Sequence, residues 1–228
     1  MESSLHRQLK EIRGTGTGGR VEVAVGGYRV DAVGGDGGLV EVQTGATGPL
    51  RSKLRRLLEW HRVTVLKPVI VRRRVVRRSA VGGPDLSSRW SPSRGSRLDV
   101  FDDLVGLGPL LSEPGLRLEV WEVDAAEVRS ARRRRPGYAV VDRELIEVRG
   151  VTEASGVGLW RLIPGDWGGE FTTADLAAAT GRPEDFARRV AYCLRHAGAA
   201  EVVGKRGNRR VYTRIIGVCD ALSAKNNL

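Results

Sequence analysis

Between Glu2 and Ile12 the apolar residues Leu5, Leu9 and Ile12 recur at helical spacing with charged residues between them, which predicts a short amphipathic helix. The glycines from Gly14 to Gly19 end it. Arg20-Val21-Glu22-Val23-Ala24-Val25 then alternates with a period of two, as a half-buried strand does, and Gly26-Gly27 turns the chain. Tyr28 to Val33 and Leu39 to Thr44 read as two further strands joined by the glycine-rich turn Gly34 to Gly38, so three strands form a meander. Over Leu50 to Trp60 the residues Leu50, Leu54, Leu57 and Leu58 make an apolar stripe opposite Arg51, Lys53, Arg55 and Arg56, a helical pattern. The β-branched runs Val63 to Leu66 and Val69 to Val76 return a strand to the sheet, parallel to the one before the helix as such crossovers require.

Beyond Arg78 the pattern weakens. Ser79 to Ser96 is rich in Gly, Pro and Ser and reads as a mobile loop containing Trp90. Leu98 to Leu111 is helical, Leu116 to Val123 alternates as a strand, Arg132 to Arg135 is a solvated connector, and Tyr138 to Val148 is extended. From Leu159 the logic changes. Thr172-Thr173 caps a helix over Ala174 to Ala179, Gly181 breaks it, and Pro183 opens a second helix with Phe186, Val190, Cys193, Leu194 and Ala197 on one face. Glu201 to Val203 and Arg209 to Thr213 form a hairpin whose tip, Gly204 to Asn208, is basic.

Charge narrows the partners. A net charge of +11 in 228 residues, with a pI near 10.5, points to a polyanion, nucleic acid being the commonest. Arginine supplies most of it, and guanidinium suits bidentate phosphate contacts. Cys193 and Cys219 are too isolated for a disulfide framework, and His6, His61 and His196 form no ligand-spaced pair. With no apolar run of membrane-spanning length and no apolar core at the N-terminus, the expected location is the cytoplasm, in association with the nucleoid. A cluster of exposed aromatics of the base-stacking kind is not expected. The arginines at 72–74, 77 and 78 fit a solvated edge strand and a phosphate contact equally well.

The meander carries the candidate chemistry. Glu41 and Gln43 share one face of their strand, and Asp31 lies on the neighbouring strand, so two carboxylates and an amide come within reach of one hard cation. By spacing alone the wet face of a half-exposed strand explains them as simply. The order helix, three strands, helix, strand, with Val30-Asp31 and Glu41-Val42-Gln43 in place, resembles the PD-(D/E)XK nuclease superfamily. Leu5-His6, Leu9-Lys10, Gln43-Thr44, His61-Arg62-Val63 and Pro68 are similar to a group of small uncharacterised bacterial proteins of that superfamily. The resemblance implies a restriction-endonuclease-like α+β fold, a mixed sheet core flanked by helices. It also implies Mg²⁺ or Mn²⁺ held by Asp31 and Glu41 with Glu2 completing the shell, and hydrolysis of DNA phosphodiesters. Two departures stand out: the proline before Asp31 is missing, and Gln43 replaces the motif lysine. Gln43 would then orient the attacking water and Lys53 would supply the cation, while Arg55 and Arg56 meet the nucleic-acid backbone.

The C-terminal pattern resembles a winged helix-turn-helix domain. That resemblance implies that Arg188, Arg189 and Arg195 on the second helix, and Lys205, Arg206, Arg209 and Arg210 on the wing, contact DNA. Glu184 and Asp185 in the leading turn run against it, so a winged helix used for packing or dimerisation stays open. The expected organisation is a nuclease-like domain over residues 1–124, a connector over 125–156, a winged helix over 157–216 and a tail over 217–228. A homodimer suits a mechanism that cuts both strands. A nuclease fold that has lost its chemistry and serves as a DNA-binding or regulatory protein is the alternative that Gln43 favours.

Overall fold

The structure, a computed structural model, describes residues 2–79, 83–131 and 137–216. It is an α+β protein built on a mixed, seven-stranded sheet. The chain forms two compact units. The first comprises residues 1–44, 63–99 and 120–151, and the second comprises 45–62, 100–119 and 152–228.

In the first unit, helix α1 (Ser4–Arg13) starts where the Ser3 hydroxyl accepts a hydrogen bond from the His6 amide, and Gly14 closes it with its N–H on the Lys10 carbonyl. Its inner face buries Leu5 and Leu9 against Ala32, Val40, Val42, Leu66, Trp121, Val123 and Ala125. Strands β1 (Arg20–Val25), β2 (Tyr28–Val33) and β3 (Leu39–Val42) make the expected antiparallel meander. Strand β4 (Val63–Arg78) then pairs parallel to β3, with Glu41 beside Val65 and Val42 beside Leu66, after a crossover carrying helix α2 (Arg51–Leu57). The sheet continues from β4 to β6 (Leu116–Ala131) and β7 (Tyr138–Glu153). Polar contacts fix α1 against the last of these: Asp142 accepts from the Ser4 amide at 2.8 Å, and Gln8 accepts from the Leu145 amide at 2.8 Å.

Two expectations change. The stretch read as a mobile loop holds strand β5 (Asp85–Arg94), antiparallel to the outer half of β4, and Trp90 is part of it. Its polar, Pro92-containing sequence disguised an edge strand, where a missing N–H leaves no ladder bond broken. Second, most of residues 125–156, expected as a connector, continues β6 and β7. The arginine block from 132 to 135, and Cys219 in the tail, lie outside the described residues.

The second unit carries α2, α3 (Val100–Leu104), α4 (Thr173–Thr180), α5 (Glu184–His196) and the hairpin β8 (Ala200–Arg206) and β9 (Arg209–Arg214). Asp175 accepts from both the amide and the hydroxyl of Thr172, closing the N-terminus of α4, and these bonds hold its carboxyl below the usual value. Gly181, in the left-handed region at φ 62°, ends α4. Phe171 and Tyr212 exchange backbone hydrogen bonds of 2.9 and 2.8 Å and stack their rings at 5.6 Å, tying the hairpin to the segment ahead of α4. Trp160, Trp167 and Phe171 complete an aromatic core, with the Trp160 indole N–H on the Ala199 carbonyl at 2.8 Å. Cys193 is buried, as its place on the apolar face of α5 requires, and burial pushes its thiol up to about 12.

Because Leu9 is fully buried at the centre of the α1 contact, Leu9→Ala should destabilise the fold by about 2–5 kcal/mol, read from the shift of the denaturant unfolding midpoint.

Candidate active site and nucleic-acid interface

Asp31 occupies the middle of the meander. In the β1–β2 register, which pairs Val21 with Ala32 and Val23 with Val30, it stands across from Glu22. In the β2–β3 register, which pairs Ala32 with Val40, it stands across from Glu41. Its Oδ2 accepts the Val42 amide at 2.8 Å and lies 3.3 Å from His6 Nε2. Burial alone would raise its carboxyl. The bonds from the His6 ring and the Val42 N–H, with the charges of His6 and Lys10, outweigh burial and hold it below the ordinary value, so Asp31 is ionised near neutrality.

Helix α1 brings three more groups to this place. Glu2, His6 and Lys10 recur every fourth residue along one side of the N-terminal segment. The structure turns that side to the carboxylates. Lys10, 4% exposed, pairs with Glu2 at 2.6 Å and also with Glu22, while His6 lies 3.4 Å from Glu2. Glu22 reaches Lys10 from a left-handed backbone at φ 55°, strained for a residue with a side chain, and its other oxygen meets Arg29. A cleft of about 670 Å³ is lined by Glu2, His6, Lys10, Glu22 and Asp31 among others. Lys10, His6 and Glu22 are thus the residues that sequence reasoning left out of the site, and the four-residue spacing along α1 was the signal that held two of them.

The remaining predicted residues fall elsewhere. Glu41 is 3% exposed on β3, and Gln43, half-buried just past its end, donates its backbone N–H to the Leu66 carbonyl at 2.9 Å; neither lines the cleft. Lys53, Arg55 and Arg56 stand on α2 in the second unit, where Arg56 pairs with Glu59 at 3.2 Å. Among the described residues no group of three or more His, Cys, Asp or Glu side chains is placed to hold a metal ion. Asp31 and Glu41 supply hard oxygen donors of the kind Mg²⁺ takes in ones and twos. Glu2 does not fit beside them as a ligand, because Lys10 and His6 already hold its carboxylate.

A second basic site lies within the second unit. A cleft of about 580 Å³ between α5 and the hairpin is lined by Arg188, Arg195, Arg209, Arg210 and Tyr192. The acidic leading turn of α5 is neutralised locally: Glu184 accepts from Thr173 at 3.0 Å and lies 3.8 Å from Arg209, and Asp185 pairs with Arg188 at 2.6 Å. Arg189 pairs with Asp102 at 2.7 Å, and Arg206 lies 3.8 Å from Glu170. Arg195, Lys205 and Arg210 have no ion-pair partner among the described residues.

With this geometry in place, comparison with known proteins places the chain in a family. It belongs to the family described as "Domain of unknown function (DUF8091)", whose model matches residues 3–155, the span from α1 through the sheet. It is also similar to a protein of Treponema pallidum (strain Nichols) named "Uncharacterized protein", at 34% identity over 219 residues, covering 93% of this chain and 85% of that one. No solved structure matches. No helix among the described residues is long and apolar enough to cross a membrane.

The Asp31 carboxyl gives a pH test. A carboxyl depressed in the folded state stabilises above its unfolded value of 3.8, and that contribution is lost as pH falls through the lower folded value. Wild type should therefore be more stable than Asp31→Asn above that pH, and the two should converge as acid protonates Asp31. Denaturant midpoints of both proteins across the acid range check this.

Proposed function

We propose that this chain is a metal-dependent nuclease with a restriction-endonuclease-like core, acting on DNA phosphodiesters, and that its C-terminal helices and hairpin work as a DNA-binding winged helix. The observation that carries the reading is Asp31, held ionised between strands that bear Glu22 and Glu41, with the buried cation Lys10 beside it. Paired carboxylates are suited to hold a metal ion that assists phosphodiester hydrolysis, a nearby lysine can offset phosphate charge, and the element order around them supports the core. A coverage of 93% carries the similarity to the Treponema protein past residue 155 into the second unit, so the two parts recur together.

Asp31 and Glu41 would hold Mg²⁺ or Mn²⁺, which when bound supplies a Lewis acid for the phosphate and acidifies a water. Lys10 gives the site the positive charge that Gln43 lacks, and offsets the charge that develops on phosphate oxygens. The Gln43 amide, able both to donate and to accept, would orient the attacking water without changing its own charge. His6 keeps Asp31 ionised and oriented. In the second unit Arg195, Lys205 and Arg210 are the cations best placed to bind phosphate, since their charges are not already spent on carboxylates.

Gln43, together with carboxylates already ion-paired to His6 and Lys10, favours the second reading: a DNA-binding or regulatory protein that has lost its chemistry. One experiment separates them. Mn²⁺ is titrated into wild type and Glu41→Ala by calorimetry, and each is then incubated with supercoiled, linear and single-stranded DNA. The nuclease reading expects metal uptake and cleavage by wild type, and loss of both by at least a hundredfold in Glu41→Ala and Asp31→Ala with DNA affinity unchanged. DNA binding without metal uptake or cleavage would select the second reading.

A further inference from the structure

The outer half of β4 and strand β5 form an exposed two-stranded ribbon of unusual composition. It bears Arg72, Arg73, Arg74, Arg77, Arg78, Arg89 and Arg94 against a single acid, Asp85, which Arg78 holds at 2.8 Å. The register pairs Arg72 with Arg94 and Arg74 with Trp90, so these three arginines and the indole share one face. Arg72 lies over the Trp90 ring, 4.4 Å from its centroid, and Arg74 Nε donates to Ser88 at 2.5 Å. Further along β4, Arg77 lies 4.6 Å over the ring of Tyr138. Trp90 and Tyr138 nonetheless remain 40% and 39% exposed. Trp90 thus stands on the face of Arg72 and Arg74, held by a guanidinium, while Arg77, three residues from Arg74 in an unshifted register, meets the Tyr138 ring on the opposite face.

Trp90 presents part of its ring among several arginines, and the charge around it decides which partner this face suits. Apolar partners would leave the guanidinium groups of Arg74 and Arg94, which share the Trp90 face, desolvated without a counter-charge. A duplex offers phosphate but hides the faces of its bases. Single-stranded nucleic acid offers both phosphate for the arginines and a base face for the indole. Arg72 is 3.6 Å from Asp124 and Arg73 is 3.5 Å from Glu127, so those two charges are already partly matched. Arg74, Arg89 and Arg94 have no carboxylate partner among the described residues.

We infer that the β4–β5 ribbon is a platform for a single-stranded stretch of nucleic acid, which stacks a base on Trp90 and lays its phosphates along Arg74 and Arg94. This deepens the nuclease reading by naming an unpaired strand as what is held, and it rests on the nucleic-acid part of that reading while being independent of catalysis. The test uses the full chain in EDTA, with a fluorescein-labelled oligothymidylate of about 12 nucleotides and a blunt duplex of equal length. The expected result is that wild type binds the single strand, that Trp90→Ala weakens this about tenfold, and that Trp90→Phe recovers most of it. Duplex affinity should stay within about twofold, showing that the general charge of the protein is unaltered. Arg94→Glu should weaken the single strand as well, with an unchanged melting temperature confirming that exposed β5 tolerates the changes. Single-strand affinity that survives Trp90→Ala, or a wild type that binds duplex alone, overturns the platform and leaves the nuclease reading standing. Binding of neither oligonucleotide overturns both.

Discussion

An ammonium group taken out of water must find carboxylates, and Lys10 is the group on which the first unit is organised. It is nearly inaccessible, and Glu2 and Glu22 neutralise it. Leaving that shielded ammonium without a carboxylate is costly, so Glu22 has reason to keep a left-handed backbone that costs about 1–3 kcal/mol. The helix that carries Lys10 is in turn held by Leu5 and Leu9 on the sheet and by Asp142 on β7. Helix docking and the electrostatics of the cleft are therefore one problem, solved together. A helix displaced from the sheet would leave Asp31 without the His6 bond and charge that keep it ionised.

Much of this was legible in periodicity. The meander, both of its glycine turns, the helical crossover and the parallel return of β4 follow from residue spacing and hold in the structure. Which side of α1 is wet was not legible. Glu2, His6 and Lys10 repeat every fourth residue whether they face solvent or a row of carboxylates, and only the positions of Glu22 and Asp31 on the sheet decide between the two. Strand β5 was missed for a related reason. Its residues are exposed on nearly every position, so neither face carries the apolar alternation that marks a strand, and pairing with β4 alone makes it one.

The charge of the chain is a poorer guide than its sum suggests. Arg188 and Arg189 look like phosphate-binding residues in the sequence, yet each has a carboxylate at 2.6 or 2.7 Å. A cation that must leave one anion to meet another gains little, because the first pair is lost as the second forms. The neutralised leading turn of α5 follows the same logic from the other side, since Thr173 and Arg209 remove most of the repulsion that Glu184 would exert on phosphate. Arg195, Lys205 and Arg210 in the second unit, and Arg74 and Arg94 on the ribbon, are among the described cations with no carboxylate partner, and they rather than the +11 of the whole mark where an anion can be met.

Gln43, just past the end of β3, carries no charge, and the buried cation of the cleft is Lys10 on α1. A lysine on β3 would point at the phosphate from a fixed strand and would be free to meet it. Lys10 is engaged by two carboxylates before any ligand arrives, and the two are not equivalent. Each has a second contact, Glu22 with Arg29 and Glu2 with the His6 ring at 3.4 Å, but Glu2, 43% exposed in its side chain against 30% for Glu22, is the easier one to release. A phosphate entering the cleft would compete with Glu2 for Lys10 while Glu22 kept the ammonium in position. Under the nuclease reading proposed above, Glu2 would serve as a placeholder for the substrate's charge, and anion binding at the cleft would be coupled to the release of that exposed carboxylate.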